Sequence, residues 1–235
     1  QGGNKKLIEG WEKLINCTMC SVFESLDLLN VKIGPKNSRG ESFYRERLGD
    51  IVEEFVKSGF AKKDSGALVV SFQDRDRPML IQKSDGGYLY ATTDLAAIKF
   101  RVKELGASQL IYVVDARQRD HFKDLFDAAK LIGWDKVPGR SGVEMVHVPF
   151  GSVLGEDKKP LKTRSGSNVT LSSLLKEAVD RGVKEVEKRS QNPNSPTAKM
   201  SKQELFNIGK QIGIGAVKYA DLSNDLVKDY VFDMD

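Results

Sequence analysis

Residues 109–148 constrain the fold more than any other stretch. The run Gln109-Leu110-Ile111-Tyr112-Val113-Val114-Asp115 reads as a buried strand. A helical pattern follows over 121–132 and stops at Gly133, and a second strand is expected over 143–148. Strands alternating with helices of this length predict βαβ units on a parallel sheet, and so an α/β fold.

Around this unit the periodicity changes. Residues 4–30 carry apolar side chains at three- and four-residue steps (Trp11, Leu14, Ile15, Val22, Leu26), which predicts one long amphipathic helix. After a Gly/Pro loop over 34–40, a second helix is expected over 42–58, stopped by Gly59. Short β-type runs at 67–72 and 79–82 flank the charged segment Asp74-Arg75-Asp76-Arg77-Pro78, which predicts a hairpin. Gly86-Gly87 is a further turn, and Tyr88-Leu89-Tyr90-Ala91 leads into a helix expected through about Leu105. Beyond the βαβ unit, 171–188 reads as helix, 190–198 as linker and 201–226 as mostly helix. Three segments result: 1–87, a helical and β-hairpin connecting region; 88–189, the α/β part; and 190–235, linker and helices.

Composition closes off several classes of function. In 235 residues, 40% hydrophobic and 30% charged is ordinary for a globular chain and unlike a disordered one. The apolar runs are far too short to span a membrane, no secretory leader is visible, and a cytoplasmic location is expected. A net charge of +4 favours a polyanionic partner only mildly. Cys17 and Cys20 form a CxxC pair, but a structural zinc needs about four ligands. With His121 and His147 the only histidines, no bound metal is expected. Because the pair lies within a helical apolar pattern, the two thiols are expected to be small core residues.

Three stretches have the chemistry of a binding site. Tyr90 and Asp94 are four apart and share a helix face if Tyr90 starts the helix. A phenol beside a carboxylate suits a guanidinium or ammonium group; alternatively, Asp94 is a first-turn residue favoured by the helix dipole. Gln118 and His121 lie just beyond the carboxyl end of a strand, the ligand position in open parallel sheets, or else belong to a polar strand-to-helix connection. The segment VLGEDKKPLKTRSGSNVT, 153–170, carries Lys158, Lys159, Lys162 and Arg164 with Gly155 and Gly166, ahead of a helix start near Thr170. Cations and backbone N–H groups together suit a polyphosphate; a solvated basic loop is the alternative. Gly209, Gly213 and Gly215 lie within a helical pattern and predict close helix packing.

The blocks DGGYLYATTDLAA, YVVDARQRDHF, FGSVLGEDKKPLKTRSG and IGAVKYADLSND follow one another as in arginyl-tRNA synthetases, class I enzymes that this chain resembles from about Gly40 to Asp235. The resemblance implies the second half of a Rossmann-like catalytic domain, a parallel sheet with flanking helices, between a helical N-terminal insertion region and a helical C-terminal segment. It implies ATP-dependent activation of L-arginine to arginyl-adenylate and transfer to tRNA(Arg), with ATP as substrate alongside Mg2+. By the family's pattern, Tyr90, Asp94 and Gln118 would hold arginine. His121, Gly151, Val153, Leu154, Lys162, Thr163 and Arg164 would meet ATP, with Lys162 and Arg164 as the catalytic cations of the mobile loop.

The string Lys199-Met200-Ser201-Lys202 spells the start of the KMSKS signature of class I synthetases, but Ser201 and Glu204 read better as a helix capping box. The loop implied is therefore Lys162–Gly166, the degenerate form. No HIGH-type motif is visible. The upstream half of the catalytic domain and the anticodon-binding domain are expected as missing partners, and the chain alone is expected to be inactive. Two other readings stand beside this one: a non-catalytic tRNA- or protein-binding module of the same fold, and another nucleotide-binding α/β enzyme such as a nucleotidylyltransferase.

Overall fold

The structure, a computed structural model, describes residues 5–136, 139, 142–155 and 170–231. Its elements in chain order are α1 (Lys5–Leu28), α2 (Leu48–Lys57), β1 (Ala61–Asp64), β2 (Ala67–Phe72), β3 (Arg75–Gln82), α3 (Tyr90–Lys99), β4 (Gln109–Asp115), α4 (Arg119–Leu131), β5 (Glu144–Phe150), β6 (Val153–Leu154), α5 (Leu171–Ser190), α6 (Lys202–Leu222) and β7 (Tyr230–Val231). They form two compact units: residues 39–151, and residues 1–38 with 152–235.

In the 39–151 unit, β4 and β5 pair in parallel over seven residues, from Gln109 with Glu144 to Asp115 with Phe150. The helix α4 crosses between them, so the βαβ unit expected from the alternation is present. Beside it lies an antiparallel sheet in the order β1-β2-β3. One core serves both: Ile51 and Phe55 of α2, Val70 and Ile81 of the sheet, Leu95 and Ile98 of α3, and Leu125 and Ala128 of α4 are each at most 1% exposed. Residues of these types at helical and alternating spacings bury one face of each element, the main favourable term in folding.

The hairpin differs from expectation in two ways. Its turn is confined to Gln73 and Asp74, and β3 already begins at Arg75, so Pro78 sits inside a strand. Pro78 is tolerated because β3 is an edge strand of this sheet, where a missing N–H breaks no ladder. The third strand, β1, was not legible: Lys62 and Lys63 make it charged and exposed, as edge strands are. Its joint to β2 is a two-residue turn in which Ser65 and Gly66 both have positive φ, 48° and 86°. That geometry matches the twist of a hairpin.

Arg75 pins this hairpin to α4. Its guanidinium, 15% exposed, reaches Asp124 at 3.1 Å and Asp127, while its plane lies over the Phe72 ring at 3.9 Å. Arg77 also meets Asp124, at 2.8 Å. Burial pushes the Asp127 carboxyl up, but hydrogen bonds from Lys123 and Arg75 outweigh it and hold the group below its usual value. A depressed folded pKa means that this contribution is present above the unfolded carboxylate value and is lost as pH falls through the folded one.

The expected helix to Leu105 is α-helical only to Lys99, and Phe100–Glu104 continues as a wider π turn. The expected helix over 42–58 begins as a 3-10 stretch, Glu41–Arg47, before α2.

In the other unit, α5 and α6 run antiparallel in close contact, since Gly182 meets Gly209 while Ala178 meets Gly213. A Cβ on Gly213 would lie 2.2 Å from the carbonyl oxygen of Ala178, and one on Gly209 would lie 2.4 Å from the Cα of Val183. The expectation of close helix packing is met at these two glycines but not at Gly215, which is exposed with open space around it. Helix α1 touches α5 through a hydrogen bond between Ser25 and Ser172, 3.1 Å. Ser25 is the only buried residue of α1, and Leu7 and Leu14 are each 71% exposed. Cys17 and Cys20 are accordingly free and exposed, which corrects the expectation of core thiols. Apolar periodicity reports that a helix has an apolar face; it does not report what covers that face.

The two glycine environments give opposite expectations. Gly213→Ala should lower stability by about 1–3 kcal/mol, because the methyl overlaps backbone that cannot yield. Gly215→Ala should raise it by up to ~1 kcal/mol through helix propensity alone. Chemical denaturation of both variants checks this, and equal effects would contradict the packing described.

Candidate functional site

The carboxyl end of β4 is where chemistry gathers in the 39–151 unit. After Asp115 the chain turns through a 3-10 stretch, Ala116–Gln118, into α4. Asp115 shapes that turn by accepting hydrogen bonds from the Arg117 guanidinium (2.9 and 2.6 Å) and from the Arg117 backbone N–H (2.8 Å). The guanidinium bonds first, and then the backbone bond, bring its pKa down to about 2. Gln118 follows at the N-cap position of α4, exposed and making no side-chain cap bond, so its amide is not spent on the helix.

The facing wall is α3. Its first turn is anchored from below: Thr92, fully buried, donates its hydroxyl proton to the backbone carbonyl of Ile81 in β3. An unpaired hydroxyl there would be costly, so this bond fixes where α3 starts. Tyr90 is the first residue of α3 and Asp94 lies one turn on. Tyr90 is 65% exposed, and the Asp94 side chain is 39% exposed.

His121, the third residue of α4, joins the two helices. Its Nε2 lies 2.8 Å from Asp94 Oδ2, and its ring centroid lies 4.9 Å from that of Tyr90. The ring has support behind it: Phe122 meets it edge-on at 5.4 Å and stacks on His147 at 4.8 Å with 25° between the planes. The Nε2 of His147 in turn reaches the carbonyl of Val114 at 3.0 Å; a carbonyl only accepts, so that nitrogen carries the proton. Deeper in, Tyr112 packs against Phe122 at 4.9 Å and accepts a hydrogen bond from Arg101, 2.7 Å. Burial raises the Tyr112 phenol above its ordinary value, so it remains a neutral wall residue.

Tyr90, Asp94 and His121 are thus brought together, with Gln118 at the same strand-to-helix joint. His121 was expected on the nucleotide side, and here it contacts both members of the expected arginine pair. Thr92, Phe122 and His147, which hold the pair in place, were not singled out from sequence. A threonine in a first helical turn and aromatics on a helix face carry no signal that separates support from ordinary core.

Gly151 closes this unit, while Val153 and Leu154 form β6 in the other, paired in parallel with Tyr230 and Val231 of β7. Lys162, Thr163 and Arg164 lie outside the described residues. Lys199-Met200-Ser201-Lys202 is a helix start: Ser201 caps α6, accepting from the Glu204 N–H at 3.3 Å, while the Glu204 carboxylate accepts from the Ser201 N–H at 2.7 Å. The capping-box reading is borne out. Among the described residues no group of His, Cys, Asp and Glu is placed to hold a metal ion, and no helix is long and apolar enough to cross a membrane.

Comparison with known proteins decides the family. Residues 1–234 match the family described as tRNA synthetases class I (R), catalytic domain. The chain belongs to that family. An arginine–tRNA ligase of Frankia casuarinae is 40% identical over 241 residues, covering 100% of this chain and 39% of that protein. One of Trichodesmium erythraeum is 42% identical, covering 100% of this chain and 40% of that protein. Among solved structures, the arginyl-tRNA synthetase of Plasmodium falciparum superposes with a TM-score of 0.81 at 26% identity, covering 99% of this chain and 37% of that one. The class I synthetase fold implied by the sequence blocks is therefore present. The chain spans about two-fifths of the length of these relatives.

Proposed function

We propose that this chain is the arginine-recognising part of an arginine–tRNA ligase, which activates L-arginine with ATP and transfers it to tRNA(Arg). The observation that carries the reading is the Tyr90–Asp94 pair, one turn apart at the start of α3 and open to solvent near the carboxyl end of a parallel strand. The relatives that match the whole chain bear the name arginine–tRNA ligase, which supports the same reading.

Asp94 supplies a fixed negative charge and two acceptor oxygens, the complement of a planar guanidinium; a lysine ammonium meets such a fork less well. Tyr90 adds a phenol oxygen on the same face, and the Gln118 amide is available at the facing joint. ATP, entering as its magnesium complex, would lie along Gly151, Val153 and Leu154, with Lys162, Thr163 and Arg164 at its phosphates. Lys162 and Arg164 would act by stabilising charge that develops on the phosphates during adenylate formation. Residues 88–189 would carry this work, with 1–87 as a connecting region and 190–235 leading towards an anticodon-binding domain. The upstream catalytic half and that domain would be the chain's partners, and a cytoplasmic location goes with the reaction.

Two experiments in a complete ligase carrying this chain test the reading. Asp94→Asn keeps size and one acceptor but removes the charge. Losing one partner of a desolvated charged pair costs on the order of 2–5 kcal/mol, and the partial exposure of Asp94 argues for the low end. The KM for arginine should therefore rise well over tenfold, with the KM for ATP little changed. Tyr90→Phe should act the same way more weakly, at about 1–2 kcal/mol. An unchanged arginine KM for Asp94→Asn, or equal losses for both substrates with a lower melting temperature, would remove Asp94 from the site.

The second experiment separates the two cation segments. Lys162→Ala and Arg164→Ala should slow adenylate formation, whereas Lys199→Ala and Lys202→Ala, which flank a helix cap, should leave it nearly unchanged. Greater damage from the second pair would overturn the assignment of the phosphate loop.

A further inference from the structure

The hydrogen bond between His121 and Asp94 does more than join two helices. We propose that His121 is a positioning residue of the guanidinium pocket: its Nε2–H holds the Asp94 carboxylate in one rotamer, and its ring backs the Tyr90 phenol. The proposal rests on the reading of Tyr90 and Asp94 as arginine ligands and deepens it.

Asp94 lies on α3 with 39% of its side chain exposed, and a carboxylate so placed has several rotamers open to it. Selecting one before the ligand arrives removes an ordering cost from binding. His121 makes that selection from a different helix, at 2.8 Å, with a side chain only 16% exposed. Its own orientation is set from the core by the Phe122 ring edge at 5.4 Å, and the exposed Tyr90 ring lies at 4.9 Å on another side. Phe122 is 5% exposed and stacked on His147.

Facing a carboxylate, which only accepts, Nε2 carries the proton, and the acceptor oxygen it occupies is Oδ2. That bond uses one lone pair of Oδ2, so both carboxylate oxygens keep acceptor capacity for the ligand. The bond is not required to keep α3 and α4 together, because Ala91, Leu95 and Ile98 of α3 share one core with Phe122, Leu125 and Ala128 of α4. A merely structural staple would be redundant there.

The test uses a complete ligase carrying this chain, with arginine-dependent ATP–pyrophosphate exchange and thermal unfolding as readouts. His121→Phe keeps a ring against Tyr90 and removes the donor; His121→Gln keeps a donor near the position of Nε2. For His121→Phe the arginine KM should rise about tenfold, the effect of losing a hydrogen bond to a charged group. Its kcat, its ATP KM and its melting temperature should stay near those of the parent. His121→Gln should recover most of the loss. In combination with Asp94→Asn, His121→Phe should add nothing further, because the group it acts through is already changed.

Several results would overturn the proposal: an unchanged arginine KM in His121→Phe, a loss falling on the ATP KM or on kcat, additivity with Asp94→Asn, or no recovery by Gln. If Asp94→Asn raises the arginine KM while His121→Phe does not, the positioning role falls and the pocket stands. If Asp94→Asn itself has no effect on the arginine KM, both fall together.

Discussion

The parallel register of β4 and β5 is the constraint on which the site depends. Seven consecutive pairs bring Asp115 level with Phe150, so that the strand pair ends in a single line and α4 starts immediately beyond it. One wall of the site follows from that line. The Asp115–Arg117 turn, Gln118 at the helix cap and His121 two residues into α4 stand there because a crossover helix has to begin where its strand stops. The opposite wall is set independently by the buried Thr92 hydroxyl on the Ile81 carbonyl, which fixes the start of α3 against the antiparallel sheet. The hydrogen bond between His121 and Asp94 is where these two constraints meet.

Much of this was legible in the amino-acid sequence, for identifiable reasons. The strand Gln109–Asp115 was readable to the residue because an uninterrupted apolar run bounded by polar residues has few other uses. The capping box at Ser201 was readable because serine followed three residues on by glutamate satisfies the free backbone donors of a helix start. The pairing of Tyr90 with Asp94 on one face followed from helical spacing alone once the helix start was fixed.

What was not legible is equally specific. Strand β1 escaped because an exposed edge strand rich in lysine lacks the alternation that marks a half-buried one. The exposure of Cys17 and Cys20 was not legible because periodicity on α1 measures amphipathicity, whereas burial depends on another surface. Gly215 resembles Gly209 and Gly213 in the sequence, yet only the latter two face α5. The link between His121 and Asp94 spans 27 residues, and no local rule predicts which acceptor a histidine beyond a strand end will find. In each case the missing information was tertiary.

The central proposal is that Asp94, held by His121 and flanked by Tyr90, reads the guanidinium of L-arginine. The most direct measurement is a crystal structure of a complete ligase carrying this chain with L-arginine bound. The account predicts the guanidinium within hydrogen-bond distance of Asp94 and Tyr90, with His121 Nε2 still on the Asp94 carboxylate. Arginine bound elsewhere, with Asp94 facing only His121 and solvent, would contradict it.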